Sequence, residues 1–218
     1  MIQLINRLIS FVSEMKEDRK EIILDTAERL FSENGFDGAS TRAIANEAGV
    51  NMAMLNYYFG SKEGLYKAVF ERKFSGFHQT LINLNEENIS SWDKLHKYID
   101  LYVERVTTQS CFQRLMQHEI SFQQRSGVGG FIVEYMNKNL NEIRKVLQEG
   151  INNGSFREID IDLTISTIFG TKYYLVHLSG IASALFGKDL DNAEVLNQEI
   201  KPRLKKHLLE LLDSYLKK

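Results

Sequence analysis

Residues 39–65 read Ala-Ser-Thr-Arg-Ala-Ile-Ala-Asn-Glu-Ala-Gly-Val-Asn-Met-Ala-Met-Leu-Asn-Tyr-Tyr-Phe-Gly-Ser-Lys-Glu-Gly-Leu, two short helical patterns separated by a glycine and followed by the start of a third. Thr41 is placed to accept the first free backbone N–H groups of a helix whose apolar side is Ile44, Ala45 and Ala48, and Gly49 supplies the left-handed turn that ends it. Asn51 caps the next helix, about two turns long, with Leu55 and Phe59 four apart on its inner face and Met52, Ala53 and Asn56 together on the other. Helices this short depend on packing against neighbours. The pattern is a helix-turn-helix signature.

A helix is narrow enough to enter the major groove of DNA. The N-terminal end of the second helix then meets base edges while the first helix crosses the backbone. Thr41 offers a hydroxyl and free helix-start amides to a phosphate, and Arg42 carries the planar fork that pairs with guanine. Tyr57, Tyr58 and Lys62 complete the phosphate-facing set. The competing reading is a helical hairpin whose tyrosines close a small core.

Thr-Arg-x-Ile-Ala-x-x-Ala-Gly-Val over residues 41–50 and Leu-x-Tyr-Tyr-Phe-x-Ser-Lys-Glu-x-Leu over residues 55–65 closely resemble the N-terminal domain of TetR-family transcriptional regulators. The resemblance covers about residues 17–70; beyond it the chain is similar to the family in length and helical character. It implies a homodimeric DNA-binding repressor released by a small ligand. Carried over by position, it assigns Thr41, Tyr57, Tyr58 and Lys62 to phosphates, Arg42, Met52, Ala53 and Asn56 to base edges, and Asn51 to the cap. Where many relatives have a serine cap, a lysine and then a hydroxyl residue, this chain has Asn51, Met52 and Met54, and Asn56 stands where tyrosine is frequent. Met52 is limited to apolar contact, for instance with a thymine methyl, whereas Asn56 pairs bidentately with adenine, so the expected operator leans towards A·T.

A chain of 218 residues, 43% hydrophobic and 26% charged, has core enough for one large domain or two small ones. Its single cysteine, Cys111, excludes an intramolecular disulfide, and no clustered Cys/His pattern suggests zinc. A reducing cytoplasm fits that usage. The net charge of −2 is not that of a generally basic nucleic-acid binder, so recognition must rest on local placement. Arg42 and Lys62 sit at helix ends, while Asp25, Glu28 and Glu33 lie on a preceding helix. Binding is expected to be salt-sensitive with a shallow slope.

Residues 1–14 are apolar for a tail, but Asn6 and Arg7 interrupt a run too short to span a bilayer, and there is no small-residue cleavage site. An added helix, an unstructured arm and an upstream start-site artefact, with the native protein beginning at Met15, all fit, the first being slightly preferred. From Lys16 to Asn34, Ile22, Ile23, Ala27, Leu30 and Phe31 recur at helical spacing and Gly35 follows as a stop. This helix braces the reading pair through Phe31 and Ile44, with Phe36 joining the same core. Ser61 caps a fourth helix predicted to reach about Leu84, carrying Lys62 at one end and Phe74, Phe77 and Leu81 at the other, which makes it the transmission element. The expected division is an extension over 1–15, a helix-turn-helix domain over 16–61 and a ligand-binding and dimerisation domain over 62–218.

Further helices are predicted over 92–108, 111–124, 131–150, 161–186 and 192–218, the last kinked or begun anew at Pro202. No strand signal competes. The fold class is all-α: an N-terminal three-helix domain joined to a larger helical domain. The last two helices of each subunit make a four-helix dimer interface resembling the family's, with Gly170 and Gly180 permitting close approach. Two recognition helices roughly 34 Å apart then read a palindrome.

The middle helices supply ligand-binding candidates: Phe77, Tyr102, Met116, His118, Glu119, Phe122, Tyr135, Tyr173, Tyr174 and His177, lining an apolar inducer pocket with a few polar anchors. No cofactor or metal is expected. Two other classes remain. A metal-dependent helical enzyme requires His118, Glu119 and His96 or His177 to meet, and their spacing gives no helical ligand motif. A protein-interaction module keeps the fold without DNA.

Overall fold

The computed structural model describes residues 2–108, Phe112, Leu115, Met116, Glu119 and 129–218; the side chains of residues 2–6, 8–17, 106–108, 176 and 177 lie outside that description. The helix expected over 111–124 falls almost wholly outside the described residues, and with it Cys111, His118 and Phe122. The described secondary structure is helical, with no strand among the described residues. These residues form two compact units, 2–73 with Glu119 and Gly129, and 74–116 where described with 130–218. The division lies inside the fourth helix.

The first unit holds α1 (Ile2–Gly38), α2 (Thr41–Glu47), α3 (Met52–Phe59) and the first half of α4 (Lys62–Glu86). Residues 2–15 continue α1 without a break, and the expected stop appears at Gly35, where φ is 69°. Of the adjacent pair, Ile23 is fully buried and Ile22 is half exposed, since neighbours on a helix point about 100° apart. Ile23, Ala27 and Phe31 of α1 close a core with Ile44, Leu55, Leu65 and Tyr66. Phe31 meets Tyr66 edge-on at 4.7 Å and stacks with Phe36 at 6.0 Å, and the Tyr66 hydroxyl donates to the buried Glu119 carboxylate at 2.8 Å. Burial, and then the Glu119 charge, pushes the Tyr66 phenol well above its usual range.

The acidic face of α1 is neutralised within this unit. Arg72 pairs with Glu21 at 2.8 Å, Asp25 at 2.8 Å and Glu28 at 3.0 Å, Lys73 also reaches Glu28 at 3.0 Å, and Arg29 pairs with Glu33 and with Glu47 of α2. Exposed pairs contribute little stability, but they tie up carboxylates that otherwise oppose a DNA phosphate.

The second unit continues α4 and adds α5 (Ser91–Thr108), α6 (Gly129–Asn152, whose first residue belongs to the first unit), α7 (Ile161–His177), α8 (Ser179–Phe186), α9 (Ala193–Val195), a π-helical turn (Leu196–Ile200) and α10 (Lys201–Leu216). Ser90 and Asp93 cap α5 reciprocally, the Asp93 amide donating to the Ser90 hydroxyl at 3.1 Å and that hydroxyl to the Asp93 carboxylate at 2.6 Å. The Asp160 side chain caps α7 by accepting from the Leu163 amide at 2.9 Å. Leu95, Ile99, Ile143, Leu147, Ile168, Leu204 and Leu208 form the centre of the core. Buried Lys94 is held by Glu149 at 2.9 Å and by the Asn85 carbonyl at 2.9 Å. Pro202 sits in the first turn of α10, directly after the π-helical turn, where its missing N–H costs no helical hydrogen bond. The single helix expected over 161–186 is two, broken at Leu178.

Candidate nucleic-acid interface and ligand cavity

The turn between α2 and α3 is built by backbone hydrogen bonds that only a left-handed residue completes. Gly49, at φ 67°, donates to Asn46 O at 3.2 Å, and Val50 donates to Ala45 O at 2.9 Å, the paired bonds of a Schellman ending. The cap of α2 is Ser40 and not Thr41: Ser40 is extended (φ −98°, ψ 141°) and accepts from the Ala43 amide at 3.1 Å, while Thr41 has already entered the helix. Thr41 thereby occupies the first turn with its hydroxyl spared from capping. Asn51 caps α3 through the Met54 amide at 2.7 Å, and Ser61 caps α4 through the Gly64 amide at 3.0 Å.

Around this frame Arg42, Asn51, Ala53, Asn56 and Tyr57 are exposed, with Thr41, Met52, Tyr58 and Lys62 half-buried. Tyr57 is 75% exposed, a large aromatic surface that the unit itself leaves uncovered, and it meets Tyr58 edge-on at 5.4 Å. The Lys62 ammonium lies 4.7 Å from the centre of the Phe36 ring and donates to the Asp37 carbonyl at 3.3 Å, which holds it at the start of α4. Leu55 is fully buried, so the reading face of α3 is fixed by its core face.

In the second unit, a cavity of about 60 Å³ is lined by Phe74 and Phe77 of α4, Tyr102 and Arg105 of α5, Phe112 and Met116 between helices α5 and α6, Met136, Asn139 and Leu140 of α6, and Phe169 and Lys172 of α7. Of the sequence candidates, Phe77, Tyr102 and Met116 meet there. Tyr135 stacks on Phe74 at 5.7 Å behind the wall, Glu119 is engaged by Tyr66 in the first unit, and Tyr173 is half exposed. Tyr174 lines a second, more open cavity of about 530 Å³ with Phe186, Arg203 and His207. The side chain of His177, like His118 and Phe122, is outside the described residues. Among the described residues no group of three or more metal-ligating side chains converges, and His96 pairs with Asp213 at 2.8 Å.

Arg105, Asn139 and Lys172 are the polar members of the first cavity that sequence reasoning missed. A signal existed for Lys172, the one lysine or arginine of α7. Burial, and then the Arg105 cation, lowers its ammonium to about 8. The folded pKa then lies below the ordinary lysine value of 10.5, so between those values the unfolded chain binds more protons and stability rises with pH. Melting curves of the parent chain are expected to gain stability across that window relative to a Lys172→Met variant; parallel pH profiles for the two would contradict the burial.

A short capped helix pair with an exposed reading face defines a helix-turn-helix DNA-binding module. Residues 23–69 match the family model described as bacterial regulatory proteins, tetR family, and residues 92–201 match that of the tetracyclin repressor-like C-terminal domain. The fatty acid metabolism regulator protein of Bacillus subtilis is 27% identical over 194 residues, 82% of this chain and 100% of that protein. The probable HTH-type transcriptional regulator YttP of Bacillus subtilis is 33% identical over 101 residues, but that match spans only 46% of this chain and 48% of YttP. Among solved structures, the transcriptional regulator FadR from Bacillus subtilis, in complex with stearoyl-CoA, superposes with a TM-score of 0.68 at 25% identity, covering 90% of this chain and 98% of FadR. The chain belongs to the TetR family and is a transcriptional regulator, not an enzyme. No helix among the described residues is long and apolar enough to cross a membrane.

Proposed function

We propose that the chain is a cytoplasmic, homodimeric repressor that binds a palindromic operator through α2 and α3 and is released when a small molecule with an apolar body occupies the cavity lined by Phe77, Tyr102 and Met116. The observation that carries this reading is the exposed set on α2 and α3, Arg42, Asn56 and Tyr57, on helices whose other faces are buried through Ile44 and Leu55. Met52 and Asn56 support an operator leaning towards A·T. Leu163, Tyr173, Ile181 and Leu185, between 51% and 70% exposed along α7 and α8, support a second copy of the chain as the partner for that face. An acyl-bearing ligand is supported by the relative named as a fatty acid metabolism regulator and by the stearoyl-CoA held by FadR.

The helix α4 carries Lys62 in its first turn and Phe74 and Phe77 farther along. A ligand that displaces it changes the spacing of the two reading heads. Release requires that the ligand bind the released state better than the DNA-bound state, since equal affinity shifts nothing.

Two substitutions test the assignment. Arg42→Ala is expected to relax base preference at one position and cost about 1–3 kcal/mol, whereas Lys62→Ala weakens all sequences alike and reduces the salt slope by about 1. Binding titrations at several salt concentrations, on matched and scrambled duplexes, separate the two. Equal and small effects from both would contradict the placement.

A further inference from the structure

Arg203 and His207 lie four residues apart on α10 and therefore share a face of that helix. The lysines around them each meet a carboxylate. Lys201 pairs with Glu104, Lys205 with Asp100 at 2.8 Å and Lys206 with Glu210 at 3.8 Å, while Glu199 in the preceding turn is taken by Lys188 at 3.0 Å. Among the described residues Arg203 and His207 pair with no carboxylate, and the Tyr174 hydroxyl of α7 makes no hydrogen bond. The Arg203 guanidinium carbon lies 5.0 Å from the centre of the Phe186 ring of α8. A ring face attracts a guanidinium but accepts none of its in-plane N–H groups, so all of its donors stay open to an acceptor. Arg203, His207 and Tyr174 meet on one cavity of about 530 Å³, whose wall is otherwise mostly apolar, with buried Leu175, Ile200 and Leu204 beside the Phe186 ring. Small-molecule sites have this character, concave and apolar with a few convergent polar groups, at volumes of about 300–1,000 Å³.

We propose that the cavity between α7, α8 and α10 is a second small-molecule site, separate from the one lined by Phe77, Tyr102 and Met116, and that it takes an aromatic carboxylate whose charged group is seated by Arg203. The planar guanidinium fork matches the two oxygens of a carboxylate, and the His207 ring N–H and the Tyr174 hydroxyl bring further donors to the same cavity. At about 30 Å³ per water-sized group, the space holds roughly fifteen to twenty non-hydrogen atoms, enough for a bicyclic ring system and its acid. The body of such a ligand covers Leu175, Ile200, Leu204 and the Phe186 ring. Arg203 is the one lining side chain with a permanent charge, so a monoanion matches the site and a neutral amide leaves that charge without a counterpart.

The test is calorimetric titration of the full chain with 2-naphthylacetate and 4-phenylbutanoate, each beside its neutral amide, using the parent, Arg203→Gln and, as a control for general surface charge, Lys206→Gln. Both substituted residues are exposed, and melting temperatures show that each variant is folded. Leu185 lines this cavity and also belongs to the face given above to a second copy of the chain, so sedimentation of all three proteins accompanies the titrations. At least one acid is expected to bind the parent and Lys206→Gln alike, and to lose about tenfold or more in affinity in Arg203→Gln, while its amide binds weakly and equally to all three. Equal binding of acid and amide, an equal loss in both variants, or a Kd weaker than about 1 mM for both acids overturns the proposal. Unchanged acid affinity in Arg203→Gln overturns it too, and if the sedimentation of that variant shifts, Arg203 serves contact between two copies instead.

Discussion

Phe31→Ala is expected to destabilise the DNA-reading unit by about 3–5 kcal/mol, the cost of deleting a fully buried aromatic side chain and leaving a cavity. Phe31 is completely buried, and its ring sits edge-on to Tyr66 of α4 and stacked with Phe36, so one side chain ties the body of α1 to α4 and to the part of α1 that follows the Gly35 kink. The loss takes a large share of a net folding stability of about 5–15 kcal/mol. The neighbourhood is aromatic on several sides, with Tyr66 also packed against Phe70 at 5.1 Å, and such rings collapse poorly into a gap. Denaturant unfolding followed by circular dichroism reads the effect. A loss no larger than that of an ordinary surface substitution, about 0.5 kcal/mol, would show that the ring does not hold the unit together.

Gly64→Ala is expected to abolish operator binding while leaving most of the helical content intact. A Cβ at this position would lie 2.0 Å from the Phe59 carbonyl oxygen and 3.2 Å from its carbon. Those are backbone atoms, and the oxygen already accepts from the Ser61 amide at 2.8 Å, so the strain is relieved only by moving the end of α3 away from the start of α4. That shift separates Tyr57 and Tyr58 from Lys62, which the reading assigns to the same phosphate backbone. Overpacking of this kind costs about 1–3 kcal/mol in stability, and occasionally more. Gly76→Ala, farther along the same helix, provides the control. Its Cβ meets nothing within 4 Å, so helix propensity predicts a gain of up to about 1 kcal/mol and unchanged DNA binding. Indistinguishable behaviour of the two variants in melting and DNA titration would contradict the close approach at Gly64.

What the sequence disclosed follows the range of the forces involved. The caps at Asn51 and Ser61, the turn at Gly49 and the helix start near Pro202 are local, and each was legible from a few neighbouring residues. The cap of α2 lies one position before the expected one because Ser40 and Thr41 both carry hydroxyls, and only the backbone conformation of Ser40 decides between them. Leu178, where α7 ends, carries no glycine or proline signal, so the break is not legible in the sequence. The cavity required tertiary assembly. Phe77, Tyr102 and Met116 come from distant parts of the chain to one wall, whereas adjacent Tyr173 and Tyr174 part, because successive residues on a helix diverge by about 100°. Arg105 and Lys172 are hidden in the sequence for a general reason: a charged residue on an amphipathic helix is ordinarily a solvated one, and only the packed structure shows these two turned towards rings.

The most direct measurement of the central claim is selection of bound sequences from random duplex DNA at stated salt, with the parent chain, Arg42→Ala and Tyr57→Ala in parallel. The account predicts enrichment of one palindromic motif by the parent, with A·T pairs at the positions facing Met52 and Asn56, and loss of that motif in both variants. No enrichment by the folded parent, or an identical motif from all three proteins, would contradict the assignment of α2 and α3 to DNA and leave protein interaction as the use of the fold.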